Sequence, residues 1–146
     1  MEAIISEIQV SYTNCNKERL QIKSSVDSHR LFLACWSKKT IELQEEAKVL
    51  LLNRNNQVLG IYPLSKGGVS GTVVDAKLVF GVALKCNASS IILAHNHPSG
   101  NLQPSKADKA ITKKLVEASK FLDIKLLDHL IITKDGYYSF ADELLM

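Results

Sequence analysis

The fold is decided by residues 90–100, which read Ser-Ile-Ile-Leu-Ala-His-Asn-His-Pro-Ser-Gly. The first part of this stretch, Ser90 to His95, is a short apolar run of the kind that forms a strand buried on both faces. Pro98 and Gly100 then set sharp backbone directions and predict a loop. The stretch therefore predicts an inner strand of a sheet that ends in a polar loop.

The chain on either side of this strand alternates between strand-like and helical patterns, which predicts a single α/β domain whose helices flank one mixed sheet. A hairpin is expected over 47–62, because the turn residues at 53–56 separate two apolar runs. The predicted helices cover 25–38, 75–86 and 105–122. The other predicted strands cover 2–12, which is the least regular, 124–133 and 137–140.

The longest predicted helix, over 105–122, has an apolar stripe that should face the sheet. The stripe consists of Ala107, Ala110, Ile111, Leu115, Ala118 and Leu122. Lysines on other positions give the same helix a basic side, which in most proteins is a solvated face. They are Lys106, Lys109, Lys113, Lys114 and Lys120.

The composition of the 146 residues is that of an ordinary globular domain. Hydrophobic residues make up 46% and charged residues 23%, which excludes a disordered chain, a collagen and a coiled coil. The apolar runs are far shorter than the ~20 residues that cross a bilayer, and no secretory signal is visible at the start. We therefore expect a cytoplasmic protein in which Cys15, Cys35 and Cys86 are small buried hydrophobic residues.

Two histidines at the end of the buried strand carry the chemistry. Side chains at i and i+2 of an extended segment point to the same side, about 6.6 Å apart along the strand, so His95 and His97 can converge on one ion. Asp108, at the start of the next predicted helix, can fold back as a third ligand. Two imidazoles and one carboxylate leave a fourth tetrahedral position for water, which is the arrangement of a catalytic zinc site.

The acidic residue has a second interpretation that stays open. Ser105 and Asp108 have the spacing of a capping box, with aspartate in place of the usual glutamate or glutamine, and an acidic residue also suits the first turn of a helix. Taken alone, both residues are more often capping residues. The two histidines favour a metal site, and Ser105 can cap the helix and still present its hydroxyl to that site.

The combined pattern His95-x-His97, seven residues, then Ser105-x-x-Asp108 resembles the motif of the JAB1/MPN/Mov34 (JAMM) metalloproteases. The wider sequence of 92–100, together with 127–130, is similar to the RadC branch of that family. The resemblance covers about residues 40–146. It implies a single MPN/JAMM-like, cytidine-deaminase-like domain at 41–146, with 1–40 as an N-terminal extension that packs on it.

The resemblance further implies an upstream glutamate that acts as general base. Matching the apolar strand and turn at 50–53 puts Glu45 at this position, and Glu46 is the alternative because a one-residue shift turns a strand residue to the other face. The implied activity is zinc-dependent hydrolysis of a peptide or isopeptide bond. In it, His95, His97 and Asp108 would hold Zn²⁺, with Glu45 and Ser105 as the catalytic residues.

Other partners and residues are less sharply predicted. His129 belongs to the segment shared with the RadC branch and can lie near the site, but a hydrogen-bonded histidine in a strand is the more common case. The association of the RadC branch with DNA repair leaves a non-catalytic, nucleic-acid-binding accessory module as the alternative function. Weak DNA contact would use the basic side of the long helix, since no helix-hairpin-helix pattern is visible in 1–40.

Overall fold

The sheet and helices of the chain are seen in a computed structural model that describes residues 4–15, 18–69 and 71–146. The elements in order are α1 (Ser25–Cys35), β1 (Glu46–Leu52), β2 (Val58–Lys66), α2 (Ala76–Lys85), β3 (Ser90–Asn96), α3 (Lys106–Leu122), β4 (Lys125–Ile132) and β5 (Tyr137–Ser139). The strands form one five-stranded sheet in the order β2-β1-β3-β4-β5. Strands β3 and β4 are parallel, and the other neighbouring pairs are antiparallel. The predicted α/β fold with one mixed sheet is confirmed.

Helices cover both faces of this sheet, because its inner strands bury side chains in both directions. On one face Val49 and Leu51 of β1 pack with Val79 of α2 and Leu115 of α3. On the other face the alternate residues of β1 pack with Phe32 of α1. Every residue of β3 is buried, as expected of a strand covered on both faces, and this includes the polar residues Ser90, His95 and Asn96.

A bulge in β4 changes which of its side chains face α3. Ile91 of β3 pairs with Leu126, but Ile92 pairs with Asp128, so one residue of β4 is skipped. Leu126 consequently packs on the face of α2 and α3, whereas Leu130 packs on the face of α1. The alternation shifts by one residue between them, and the side chains that follow the bulge exchange faces.

The buried carboxylate of Asp128 stabilises this bulge. One of its oxygens accepts hydrogen bonds from the backbone amides of His129, at 2.7 Å, and Ala141, at 3.0 Å. The other oxygen accepts from the Ser139 hydroxyl at 2.6 Å. Asp128, which directly follows the skipped residue, thereby ties β4 to the end of β5 and holds the backbone of His129 in place.

The N-terminal strand predicted over 2–12 is wrong for its described part. Residues 4–12 form no strand, and Ile4, Ile5 and Ile8 are between 84% and 97% exposed. Alternating apolar residues make a strand only where a neighbouring strand satisfies their backbone groups, and no such pairing exists among the described residues. Residues 2–3 of the predicted strand lie outside the described part of the chain. Helix α1 also ends at Cys35, three residues before the predicted residue 38.

The apolar stripe predicted for α3 is partly wrong. Ala107, Ala110 and Leu122 are exposed, and the residues that this helix buries are Thr112, Leu115 and Ser119. The buried face is polar at Thr112 because it meets a histidine of β4 there rather than an apolar side chain. All five lysines of the basic side are exposed, and contact with DNA stays a prediction.

The expectation of buried cysteines is wrong for two of the three. Cys15 and Cys35 are exposed, and Cys86 is half-buried. None of the helices in the described residues has the length and apolar character to span a bilayer. The division of the chain at residues 40 and 41 stays a prediction, although α1 does pack on the sheet through Phe32.

Candidate metal site

The three predicted ligands meet where β3 ends and α3 begins. The Nε2 atoms of His95 and His97 lie 3.0 Å apart. Asp108 places Oδ1 at 3.2 Å from Nε2 of His95 and Oδ2 at 3.3 Å from Nε2 of His97. Each residue offers one ligand atom, these atoms all lie within 4.8 Å of one another, and the group could therefore hold a metal ion.

The two histidines are held by different backbone features. His95 is 3% exposed and is paired with Ala47 of β1 and Ile131 of β4, so it is fixed within the sheet. His97 lies just past the strand, where its amide donates to the Ile132 carbonyl at 3.0 Å. Its ring Nδ1 donates to the Asn101 carbonyl at 2.6 Å, and this bond directs Nε2 toward the other ligands.

Asn96, between the two histidines, points to the opposite side and is completely buried. Its side-chain amide donates to the carbonyl oxygens of Ile41 and Gln44 at 2.8 and 2.9 Å. Its Oδ1 accepts from the Glu46 amide at 2.7 Å. Asn96 therefore fixes the segment that leads into β1 and sets the position of Glu45 within it.

Asp108 forms the capping box that one interpretation of its sequence predicts, and its carboxylate stays within reach of the two histidines, as the other requires. The Ser105 hydroxyl accepts from the Asp108 amide at 3.0 Å, and Oδ2 of Asp108 accepts from the Ser105 amide at 2.8 Å. These reciprocal bonds are a capping box at the start of α3. The box fixes the rotamer of Asp108, so that its carboxylate also faces the two histidines.

A groove with a volume of about 670 Å³ opens beside this group, and Glu45, His97, Ser105 and Asp108 line it. The backbone of Glu45 is paired with a glycine loop, through Glu45 N to Gly68 O at 2.9 Å and Gly67 N to Glu45 O at 2.8 Å. A Cβ at Gly67 would overlap the backbone of Gly71, so the close turn of this loop requires glycine. Glu46 is 5% exposed and, as the next residue, points to the other face.

A buried layer lies directly behind His95. Nδ1 of His95 is 2.8 Å from Nε2 of His129, and Nδ1 of His129 is 2.6 Å from the hydroxyl of Thr112. That hydroxyl donates to the backbone carbonyl of Asp108 at 2.7 Å. The ring of His129 also stacks on Phe140, with the centroids 4.7 Å apart and the planes 9° from parallel.

The sequence favours an ordinary strand histidine at His129, and no pattern in it singles out Thr112. His129 is hydrogen-bonded in a strand, as expected, but its partner is the candidate ligand His95. Its presence in the segment shared with the RadC branch was the signal for this position. His29 is half-buried and stacks on Tyr137, away from the group of His95, His97 and Asp108, which we call the metal group.

The two carboxyl groups of the site have pKa values that shift in opposite directions. Burial raises the pKa of Glu45 above its ordinary value, and the electrostatic effect of the nearby His95 and His97 rings offsets this only in part. Burial also acts to raise the pKa of Asp108, but the close ring nitrogens of His95 and His97 outweigh it and hold that pKa far below its ordinary value. Burial lowers the pKa of His129 well below its ordinary value, which keeps that ring neutral at neutral pH.

Comparison with known proteins gives this geometry a family context. Residues 22–145 match the RadC-like JAB domain family. A UPF0758 protein of Flavobacterium johnsoniae is 58% identical over 99 residues, which are 68% of this chain and 43% of that protein. A UPF0758 protein of Porphyromonas gingivalis is 40% identical over 144 residues, which are 98% of this chain and 63% of that protein.

The UPF0758 protein YfjY of Escherichia coli K12 is 46% identical over 103 residues, which are 70% of this chain and 64% of that protein. This chain spans between 43% and 64% of the length of these three relatives. The resemblance to the RadC branch that the histidine motif predicts is confirmed.

Proposed function

This chain belongs to the RadC-like JAB domain family, and on that premise we propose that it is a zinc-dependent hydrolase of peptide or isopeptide bonds. One observation carries the proposal: two imidazole nitrogens and a carboxylate converge beside a groove that a separate carboxylate lines. A site with three protein ligands and an open side is the arrangement of catalytic zinc rather than of closed structural zinc. The protein ligands of the zinc ion would be His95, His97 and Asp108.

The spacing of these ligand atoms supports zinc as the ion. Ligands at 2.0–2.1 Å in a tetrahedral arrangement lie about 3.3 Å from one another. The two Nε2 atoms are 3.0 Å apart, and each has one Asp108 oxygen at a similar distance, Oδ1 at 3.2 Å from His95 and Oδ2 at 3.3 Å from His97. The chemistry of the ligand atoms also agrees with a bound metal ion. Nδ1 of His97 donates to a carbonyl, which leaves a lone pair on the Nε2 atom that faces the other ligands.

The chain's own residues would then move the protons of hydrolysis. When bound, zinc supplies a Lewis acid that acidifies water and polarises a scissile carbonyl. Glu45 takes the proton of the attacking water and delivers it to the leaving amine, as general base and then general acid. The Ser105 hydroxyl lines the same groove, and its hydrogen is available to the developing oxyanion because its oxygen is the acceptor in the capping box.

The opposite pKa shifts of the two carboxyl groups support this division of roles. A general base that must later release its proton needs a raised pKa, and burial raises the pKa of Glu45. A metal ligand must stay ionised, and the two histidines lower the pKa of Asp108. Neighbouring carboxylates with pKa values pushed apart are a common feature of acid–base catalysis.

The test is hydrolysis of fluorogenic peptides and ε-linked lysine isopeptides by zinc-loaded protein, with and without a chelator. We expect chelator-sensitive cleavage, and a fall of about 10²–10⁴-fold in kcat for Glu45→Gln with zinc content unchanged. Glu46→Gln is the matched control, since Glu46 lies on the opposite face, and it should retain activity. Absence of zinc-dependent cleavage of both substrate types, or equal rates for the two variants, would contradict the proposal.

A further inference from the structure

We propose that Thr112 and His129 are positioning residues, which fix His95 as a metal ligand through a one-way chain of hydrogen bonds that ends on the backbone of Asp108. The inference rests on the proposed metal site and adds residues that the JAMM-like motif does not contain. It is carried by three consecutive contacts of 2.8, 2.6 and 2.7 Å behind His95.

The direction of this chain of hydrogen bonds is set at the end that meets Asp108. The backbone carbonyl of Asp108 can only accept, so the Thr112 hydroxyl uses its single hydrogen there, at 2.7 Å. The hydroxyl oxygen is then left as an acceptor for Nδ1 of His129, which lies 2.6 Å away. His129 must therefore carry its proton on Nδ1.

The same direction of hydrogen bonding continues from His129 to His95, which belongs to the metal group. With its proton on Nδ1, the neutral His129 has a lone pair on Nε2, which accepts from Nδ1 of His95 at 2.8 Å. A neutral His95 with its proton on Nδ1 has its other lone pair on Nε2, the atom that faces His97 and Asp108. The reverse direction would put a hydrogen on that Nε2 atom and block it as a ligand.

Burial and packing keep this chain of hydrogen bonds from rearranging. His129 is 0% and Thr112 is 1% exposed, so water does not compete for these bonds. The parallel stack on Phe140 holds the plane of the His129 ring. The bulge in β4 and the Asp128 carboxylate hold its backbone.

The chain of hydrogen bonds also connects two candidate ligands that belong to different secondary-structure elements. His95 ends β3, and Asp108 lies in the first turn of α3, one helical turn before Thr112. The link through β4 connects them behind the site without using any ligand atom. Partners of this kind orient a ligand ring, and their loss typically weakens metal binding by about 10–100-fold.

The test compares Thr112→Val with Thr112→Ser. Valine keeps the shape of the side chain and removes the hydroxyl, whereas serine keeps the hydroxyl. We expect the zinc dissociation constant, measured by competition with a chromogenic chelator, to rise about 10–100-fold for Thr112→Val and to stay near wild type for Thr112→Ser. Nitrogen-15 NMR of the zinc-loaded wild type should show the proton of His95 on Nδ1.

A second pair decides the question if Thr112→Val does not fold. His129→Gln keeps a side-chain acceptor and should bind zinc more tightly than His129→Leu, which has none. Equal zinc affinity for Thr112→Val and wild type, or equal losses for both Thr112 variants, would overturn the positioning role while leaving the hydrolase proposal intact. A folded wild type that binds no zinc would overturn both.

Discussion

Histidine, carboxylate and hydroxyl groups meet in two regions of the described chain, and the two regions differ in how their atoms face one another. One is the group of His95, His97 and Asp108, capped by Ser105. The other, which we call the α1 cluster, lies where α1 meets the C-terminal end of the chain and consists of Ser25, His29, Tyr137 and Asp142.

The α1 cluster pairs a donor with its acceptor. The Ser25 hydroxyl donates to the Asp142 carboxylate at 2.5 Å, and His29 stacks on the Tyr137 ring, with the centroids 4.3 Å apart. In the metal group, by contrast, the backbone contacts of His97 and the chain behind His95 use the Nδ1 atoms, so two Nε2 lone pairs face a carboxylate. Acceptor atoms that converge on one point need a cation between them. The same residue types arranged as hydrogen-bond donor and acceptor need none.

The largest expected effect comes from removing a histidine from each region. His97→Ala takes away one of three converging ligand atoms, and we expect the zinc affinity to fall by more than the ~100-fold upper range for a residue that only supports a ligand. His29→Ala should leave the affinity unchanged, because His29 contacts Tyr137 and not the metal group. Chelator competition and bound-metal content on both purified variants measure this difference.

The comparison between the two regions fails if His97→Ala keeps the wild-type affinity, or if His29→Ala loses as much. The unfolding transition of each variant in the metal-free state serves as the control, because it separates the loss of a ligand from a general loss of structure.

A smaller effect is expected from pH, since the two histidines should titrate on opposite sides of the ordinary pKa of 6.5. Burial lowers the pKa of His29. Burial also acts to lower the pKa of His97, but the hydrogen bond that the protonated ring donates to the Asp108 carboxylate, aided by the Asn101 carbonyl and the charge of Glu45, outweighs it and raises that pKa.

The sign of the metal dependence follows from the raised pKa of His97. Below that pKa a proton occupies the ring, and zinc must displace it, so the apparent zinc affinity should fall about tenfold for each pH unit of further acidification. NMR titration of the two rings in the metal-free protein measures their pKa values. Zinc affinities across the same pH range then measure how metal binding depends on pH. A His97 midpoint below that of His29 would contradict the assignment.

The parts of the molecule that depend on short-range pattern could be predicted from the sequence. The i, i+2 spacing of His95 and His97 and the capping spacing of Ser105 and Asp108 are local, and the structure keeps both. The resemblance to the RadC branch supplied Glu45, because no local pattern distinguishes it from Glu46. The structure separates the two by placing Glu45 in the groove.

The parts that depend on register could not be predicted. Strict alternation along β4 would put His129 on the face opposite Leu126, and the bulge at Asp128 reverses this. No periodicity in the sequence marks a single skipped residue, so neither His129 nor its partner Thr112 could be connected to His95. The strand predicted over 2–12 failed for a related reason, since an apolar alternation does not say whether a neighbouring strand is there to pair with it.

The smallest expected effect compares the N-caps of the two regions, Ser105 of α3 and Ser24 of α1. The Ser105 hydroxyl accepts from the Asp108 amide at 3.0 Å, whereas the Ser24 side chain makes no capping hydrogen bond. Ser105→Ala should therefore lower the free energy of unfolding by about 1 kcal/mol, because an amide of the first turn loses its acceptor. Ser24→Ala should lower it by much less, since no bond is broken.

Denaturant unfolding of the metal-free variants is the measurement, because bound metal would add its own contribution to stability. The capping box also holds the Asp108 carboxylate toward the histidines, so Ser105→Ala should weaken zinc binding several-fold while Ser24→Ala leaves it unchanged. Equal losses of stability from the two changes would mean that the box does not stabilise α3. Unaltered zinc affinity in Ser105→Ala would mean that the helix alone orients Asp108, because the reciprocal bond from the Ser105 amide persists without the hydroxyl.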